Sequence, residues 1–388
     1  MKTYVLFLLK RIVHRKSNLF LLLGIVLFIF TYLMMNMNSQ DILRDTLVDQ
    51  IKTENETIET SQEKISHLED NQTEYESYKE SIQISKAHIL QYKESLSFYD
   101  QKNWSEFYSS YIQILNQQKQ INEDTLKLSN ENDLTMKDMS SYIDKQLTYI
   151  QYLEANQLDY ENIDYPVFGL SFMTSISQVI LPLITTICCI YILTQCFTMN
   201  YRTNINIDHI IPMSKRKILI TKSIVGISIS LFIYIFFLLS AFILASVFNQ
   251  NMGIHYPIMM QNSTNCWMAN SLLFVLKQWL ILGVLFYIGL SLLIYIFSFF
   301  IKEESPLLIT GVCIILGFVY LPHFVSFIGQ ISYLSPFTYF NYVNVVIGNL
   351  AVQLNNLNIT YDIGMIVLFV FIVIECICIY TMNFIKEY

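Results

Sequence analysis

Apolar residues in this chain come in long, uninterrupted runs. Six stand out, at residues 19–35, 166–198, 218–248, 278–300, 305–321 and 363–385, each nearly free of charge. A helix needs about 20 such residues to cross the hydrocarbon core of a bilayer. Backbone groups in lipid must bond internally, so the runs predict helices and not open strands. The fifth run is the shortest, bracketed by Pro306 and Pro322. Ahead of the first run, Val5, Leu8, Leu9 and Ile12 share one helical face, and Lys10, Arg11, His14 and Arg15 another. That spacing predicts an amphipathic elbow helix over residues 1–17, lying in the inner membrane surface and feeding a first span at 18–38. A plain topology signal accounts for the same basic residues equally well. The run 19–35 is long for the apolar region of a signal peptide, and residues 36–40 offer no small-residue cleavage site, so the first span reads as an uncleaved anchor.

Between the first and second runs the pattern changes. Residues 39–165 are polar but carry a helical stripe. Ile51, Ile58 and Ile65 recur every seven residues. So do Leu68, Tyr75, Ile82, Ile89 and Leu96, offset by three, with Tyr78, Tyr92 and Tyr99 in the second seam position. This is a heptad seam with a register shift near Gln72. One helix over 41–99 would be about 85–90 Å long at 1.5 Å per residue. Asp100 to Asn103 breaks it, Asn103-Trp104-Ser105-Glu106 resembles a capping box that restarts it, and residues 128–133 break it again. Met136, Met139, Ile143, Leu147 and Ile150 continue the stripe. The expected arrangement is an antiparallel, coiled-coil-like hairpin, with 41–99 ascending and the remainder descending. Seam tyrosines and methionines are expected in its core, because an unburied helix is only marginally stable.

Charge sets the expected orientation. The insertion holds 25 acids against 11 bases, a net of −14, while the rest of the chain is +7. Twelve of the remaining 13 Lys and Arg residues fall in the N-terminus, the loop after the second run, Lys302 and Lys386. With six spans these all lie on one side, and the positive-inside rule makes that side the cytoplasm. The expected fold is therefore an all-α polytopic membrane protein with both termini inside and an acidic helical domain (39–165) outside. Residues 166–388 carry the other five spans. Lys277 would sit at the outer start of the fourth span, its stem snorkelling to the interface.

Catalytic signatures are missing. The insertion has no cysteine and hence no disulfide framework. Cys188-Cys189 and Cys376/Cys378 lack metal-ligand spacing, and the six His residues are scattered. No HExxH, phosphate-binding glycine loop or dinucleotide fingerprint occurs. Hence no enzyme activity, metal or cofactor is expected in this chain. One ionisable residue interrupts the last run: Glu375, the thirteenth of its 23 residues. Such groups usually face a bundle interior or water. Packing by a neutral carboxyl and a role on a substrate path both remain open.

The loop after the second run reads Ile210-Ile211-Pro212-Met213-Ser214-Lys215-Arg216-Lys217-Ile218, with Lys222 beyond. It resembles the "LLxxPxSRxxI…K" pattern that joins the second and third spans of type-2 permeases of ABC transporters. In place of that family's upstream acidic residue and Gly, this chain has Arg202, Asn204 and Asn206. Tyr333-Leu334-Ser335-Pro336-Phe337-Thr338-Tyr339-Phe340 resembles the family's "LSPxxY" element between the fifth and sixth spans. The resemblance covers about two thirds of the chain and leaves out the insertion.

The resemblance implies the membrane subunit of an exporter in a bacterial cell membrane, moving a peptide, lantibiotic-like or amphipathic substrate outward. It implies a second permease subunit, identical or not, and a cytoplasmic ATPase dimer that holds the ATP and Mg. That dimer would dock on the coupling loop 200–216, at Arg202, Ile207, Asp208, His209, Ile210, Ile211 and Pro212. Ser335, Pro336 and Tyr339 would belong to an outer re-entrant segment within 323–358. Nothing points to nucleic acid. The competing readings are a scaffold or sensor whose insertion binds an extracellular or peptide partner, a membrane enzyme, and a four-span permease.

Overall fold

The computed structural model describes residues 2–67, 72–128, 134–199, 201–202, 205–206, 213–261 and 266–385. Among them are six helices long and apolar enough to cross a membrane, as expected of a multi-pass helical membrane protein. They are α2 (Lys16–Asn38), α8 (Leu181–Thr198), α9 (Lys215–Asn249), α10 (Leu272–Phe300), α11 (Glu304–Phe324) and α15 (Tyr361–Ile385). Helices α8 and α10 are the most enclosed, while α2, α11 and α15 keep broad apolar faces exposed. Such faces match lipid as a solvent.

Helix α1 (Lys2–Val13) buries Tyr4, Leu8 and Ile12 against α2, α8 and α9, with Val5 and Leu9 partly buried beside them. Leu6 and Phe7 point away. The chain turns at His14 and Arg15, and Asn18 Nδ2 fastens the elbow by donating to the Ile12 carbonyl at 3.0 Å. Arg15 Nη1 bonds both oxygens of Glu304, at 3.2 and 3.3 Å. The starts of α2 and α11 therefore share one end of the bundle. At the other end of α2, Asn36 Nδ2 donates to the Pro166 carbonyl at 2.9 Å and Gln40 Nε2 to the Tyr165 carbonyl.

The second apolar run, expected as one span, is two helices: α7 (Gly169–Val179) and α8, with Ile180 at φ −126° between them. Pro182 lies in the first turn of α8 and has no N–H for the carbonyl four residues back. That carbonyl, on Gln178, accepts from Asn344 Nδ2 at 2.9 Å instead. A proline break in an apolar segment survives because another element satisfies the freed group.

The insertion also departs from expectation. Helix α3 (Ile42–His67) and helix α4 (Gln72–Asp100) are not one rod but an antiparallel pair. Arg44 Nε meets Asp100 Oδ1 at 2.8 Å, His88 Nδ1 lies 2.9 Å from Glu54 Oε1, and Lys64 sits over the Tyr78 ring at 5.5 Å. The pairs step in opposite directions along the two helices, so the chain reverses between His67 and Gln72. The seam's register shift near Gln72 falls where the second helix of this pair begins. Helices α5 (Trp104–Leu128) and α6 (Leu134–Ala155) form a second antiparallel pair. Ser109 Oγ bonds Glu154 at 2.9 Å, Lys119 Nζ bonds Asp144 at 2.7 Å, and Asn122 Nδ2 bonds Ser140 Oγ at 2.6 Å. The domain is thus four shorter helices, about 40 Å tall at 1.5 Å per residue of α3, less than half the height of a single rod.

The all-helical expectation misses two small antiparallel sheets. Strands β1 (Tyr201–Arg202) and β2 (Ile205–Asn206) pair in the loop between α8 and α9. Strands β3 (Pro257–Gln261) and β4 (Trp267–Ser271) form a hairpin between α9 and α10. This hairpin is wedged under the insertion. Trp267 Nε1 donates to Ser141 Oγ of α6 at 3.0 Å, and Gln261 N donates to the Ile347 carbonyl at 2.9 Å. Two apolar cores form among the described residues. One lies among the spanning helices, and the other joins α3 to α6 with Tyr256 and Met259.

The reversal between α3 and α4 is directly testable. With the native cysteines replaced, the double variant Glu54→Cys/His88→Cys is expected to form an intramolecular disulfide on mild oxidation, seen by mass spectrometry of the intact protein. A continuous rod would hold the two positions about 50 Å apart and give no such bond.

Candidate functional site

Three polar sites could carry function, and each depends on how neighbouring helices meet. The first is inside the bundle. Glu375 is 2% exposed on α15, against α10. It lies opposite Gly289, whose missing Cβ would stand 3.6 Å from Glu375 Oε2 and 3.2 Å from the Phe371 ring. The absent side chain makes room for the Phe371 ring, with the carboxyl group in ordinary contact beside it. Neither Glu375 oxygen has a hydrogen-bond partner among the described residues, and the same holds for Gln195 of α8 and Ser291 Oγ of α10. An unsatisfied carboxyl in an apolar setting is costly unless it is neutral or finds a partner. The sequence exposed Glu375 through its depth in the last run, but not Gly289 or Gln195. A lone Gly in a spanning helix was the available signal for close approach.

The second site is a chain of short helices between α11 and α15: α12 (Ser326–Ile331), two 3₁₀ turns (Ser332–Leu334 and Pro336–Asn341), α13 (Tyr342–Val346) and α14 (Asn349–Gln353). Pro336 opens the second turn, where its fixed φ suits a helix start. Ser335 N donates to the Ser332 carbonyl at 2.9 Å, and Thr338 Oγ1 to the same carbonyl at 2.7 Å. Asn356 Nδ2 bonds the carbonyls of Gly329 and Gln330. Tyr339 is fully buried, with its hydroxyl donating to the Tyr333 carbonyl at 2.7 Å. Its ring fills the gap at Gly364 of α15, where a Cβ would come within 2.6 Å. The structure brings Ser335, Pro336 and Tyr339 together. Tyr339 locks the segment onto the last span and is closed to solvent.

The third site was not legible beforehand. The stretch between α6 and α7 forms a neck joining the insertion to the spanning helices. Three tyrosines take its carbonyls: Tyr108 bonds Leu158 at 2.9 Å, Tyr256 bonds Asp159 at 2.9 Å, and Tyr149 bonds Glu161 at 3.1 Å. Glu161 itself is 1% exposed. Its Oε1 accepts from the backbone N–H groups of Val167 and Phe168, both at 2.7 Å, and Ser171 Oγ bonds both oxygens. The carboxyl group thus holds the two residues that lead into α7, while the first N–H groups of the helix itself, on Gly169 and Leu170, donate to the carbonyls of Asn251 and Met252 at 3.0 and 2.9 Å. Burial pushes its pKa up to about 7, against the pull of those donors. Nothing in the sequence marks this Glu among the 25 acids of the insertion.

Of the expected coupling segment, Ile207, Asp208, His209, Ile210, Ile211 and Pro212 lie outside the described residues. Arg202 is described only as backbone in β1. Among the described residues, no group of three or more His, Cys, Asp or Glu is placed to hold a metal ion. Comparison with protein-family models, curated proteins and solved structures gives no match.

Two outcomes are expected. The folded-state pKa of Glu161 lies above its ordinary value of 4.5, so the folded chain keeps a proton that the unfolded chain loses as pH rises. Its contribution to stability is full below about pH 4.5 and is lost up to about pH 7, on the order of 3 kcal/mol. The thermal midpoint in detergent is expected to fall across that window, and Glu161→Gln is expected to flatten the fall. An identical pH profile in the variant would show that Glu161 is not the group responsible. Separately, Gly364→Ala drives a Cβ into the enclosed Tyr339 ring and is expected to cost about 1–3 kcal/mol, read as a lower thermal midpoint.

Proposed function

We propose that this chain is the membrane-spanning subunit of an ABC exporter of the type-2 permease class. The observation that carries this reading is the order of elements. An elbow helix packed under the bundle is followed by six apolar helices, and a string of short helices bearing Ser335-Pro336 and Tyr339 lies between the fifth and sixth. That order agrees with the resemblance in the loop at Ile210–Lys222 and in the Ser-Pro element. On this reading both termini and the basic segments are cytoplasmic, the positive-inside rule being the argument. The insertion and the short helices then face outward from a bacterial cell membrane.

ATP binding and hydrolysis belong to a separate ATPase dimer, which docks on the loop around Arg202 and residues 207–212. Closure of that dimer pushes the loop and the start of α9. A second permease subunit completes the path, through which a peptide, lantibiotic-like or amphipathic molecule leaves the cell. Glu375, facing inward on the last span without a partner among the described residues, is the intramembrane group with the strongest claim to a place on that path. A second reading is a scaffold or sensor that transports nothing and binds an outside partner. The four-helix insertion, which no transport step requires, favours it.

Copurification tests the choice. Co-expressed with the ATP-binding subunit of its own system, the chain is expected to retain it and to stimulate its ATP hydrolysis. Replacing residues 207–211 with a Gly/Ser stretch of equal length is expected to abolish both. A chain that purifies alone and leaves the ATPase unaffected would support the scaffold. Within the exporter reading, Glu375→Gln is expected to preserve assembly while lowering export from loaded vesicles by about tenfold, the order of magnitude of one lost charged interaction. Export at the unaltered rate would confine Glu375 to packing.

A further inference from the structure

The four helices of the insertion do not close into a bundle. Helix α3 packs on α4, α4 on α5 and α5 on α6, and between α3 and the α5–α6 pair lies a groove of about 720 Å³. Its volume falls in the range of ligand sites. Leu43, Leu115 and Ile143 form a buried apolar floor, while Ile121, Met139 and Tyr142 stand 58%, 53% and 48% exposed along its lips. The floor is rigid. Asn122 Nδ2 bonds both Ser140 Oγ and the Met136 carbonyl, which fixes α5 to α6 beneath it. From Tyr111 to Thr125 the α5 wall runs about 20 Å, the length of a helix of about 14 residues.

The charges around the groove select its occupant. On α3 the lining positions Ile42, Thr46 and Gln50 recur every four residues. One position ahead of each is an exposed acid: Asp45 and Asp49 stand on the flank of α3 beside these lining positions, while Asp41 sits beside the Tyr99 hydroxyl of α4. The lysines beside the opposite wall are engaged: Lys119 with Asp144 at 2.7 Å and Lys145 with Asp164 at 2.8 Å. A phosphate headgroup would meet acids here, not cations. A peptide with an apolar face and a cationic face meets complementary surface on both.

We propose that this groove docks a cationic amphipathic helical peptide. The peptide's apolar face lies on Leu43, Leu115, Ile121, Met139 and Tyr142, and its cations reach over the α3 rim to Asp45 and Asp49. This is the helix-in-groove mode, in which anchors at i, i+3, i+4 and i+7 supply the affinity, with the domain's net negative charge drawing the peptide in. The proposal rests on the exporter reading only in placing the domain outside the cell.

The test uses the full-length protein in phosphatidylcholine nanodiscs and a fluorescein-labelled synthetic helix of about 14 residues, with Leu and Lys at helical spacing. Anisotropy is read against empty nanodiscs. Saturable binding is expected, with little binding of the counterpart bearing Glu for Lys. The double variant Ile121→Glu/Met139→Glu changes exposed positions only, and an unaltered thermal midpoint would show that it folds. It is expected to weaken binding by about tenfold or more. Asp45→Asn/Asp49→Asn is expected to weaken binding less and to reduce its dependence on salt. Equal binding of the two peptides, undiminished binding by Ile121→Glu/Met139→Glu, or displacement of the peptide by palmitoyl lysophosphatidylcholine at equal molarity would overturn the proposal. No ATPase is present in this experiment, so its failure leaves the copurification result standing, and the reverse also holds.

Discussion

A dehydrated carboxyl group ties the two halves of this protein together. Glu161 receives two backbone N–H groups and a serine hydroxyl at the point where the insertion gives way to the spanning helices. Buried backbone groups must find partners, and a neck leaving a water-exposed domain for a membrane has few to offer. Here the chain solves the problem twice over. Tyrosines from α5, α6 and the start of the β3–β4 hairpin take the carbonyls on one side, and Glu161 takes the amides on the other. The β-hairpin then becomes a third support, packed against α6 above and α14 below. Without the neck, the four-helix domain would be held by α2 and the hairpin alone.

The same accounting runs through the spanning helices. Pro182 frees the Gln178 carbonyl, and Asn344 claims it. Asn36 and Gln40 at the top of α2 bond the carbonyls of Pro166 and Tyr165 at the entry to the second span. Arg15 and Glu304 pair at the opposite end, each about one-third exposed. Such a pair contributes little energy by itself, but it fixes which helix ends lie together. Against this background Glu375 is an exception, as are Gln195 and Ser291 Oγ. The surroundings of Glu375 leave its oxygens without a bond among the described residues.

How much of this could be read from the chain differed with the physics involved. Spanning helices were legible because lipid demands about 20 apolar residues in a row, and outside the second run the observed ends differ from the apolar runs by only a few residues. The break of the second run at Ile180 was not anticipated, although Pro182 stood in plain view. The stripe of Ile, Leu and Tyr in the insertion located helices but not partners. A heptad seam looks the same whether its far end continues or folds back on its near end, and only the offset near Gln72 betrayed the reversal. The β3–β4 hairpin had a usable signal in the run Asn262-Ser263-Thr264-Asn265, turn-forming residues between two apolar stretches. Glu375 was visible as a charge where none belongs. Glu161 was not, because an acid in an acidic domain carries no contrast. Its importance comes entirely from a tertiary setting that no local pattern encodes.

One consequence follows from the way α2 leads into α3. Helical backbone extends almost without interruption from Lys16 to His67, with only a short turn at residues 39–41. One wall of the groove is therefore the upper half of a lever whose lower half is the first span. The facing wall hangs from the neck and so from the second span. The fulcrum lies where Asn36 and Gln40 grip the 165–166 carbonyls. A tilt of about 10° below that point would move Gln50, about 15 Å up the arm on the groove wall, by about 3 Å. The width of the groove is thus geared to the angle between the first two spans.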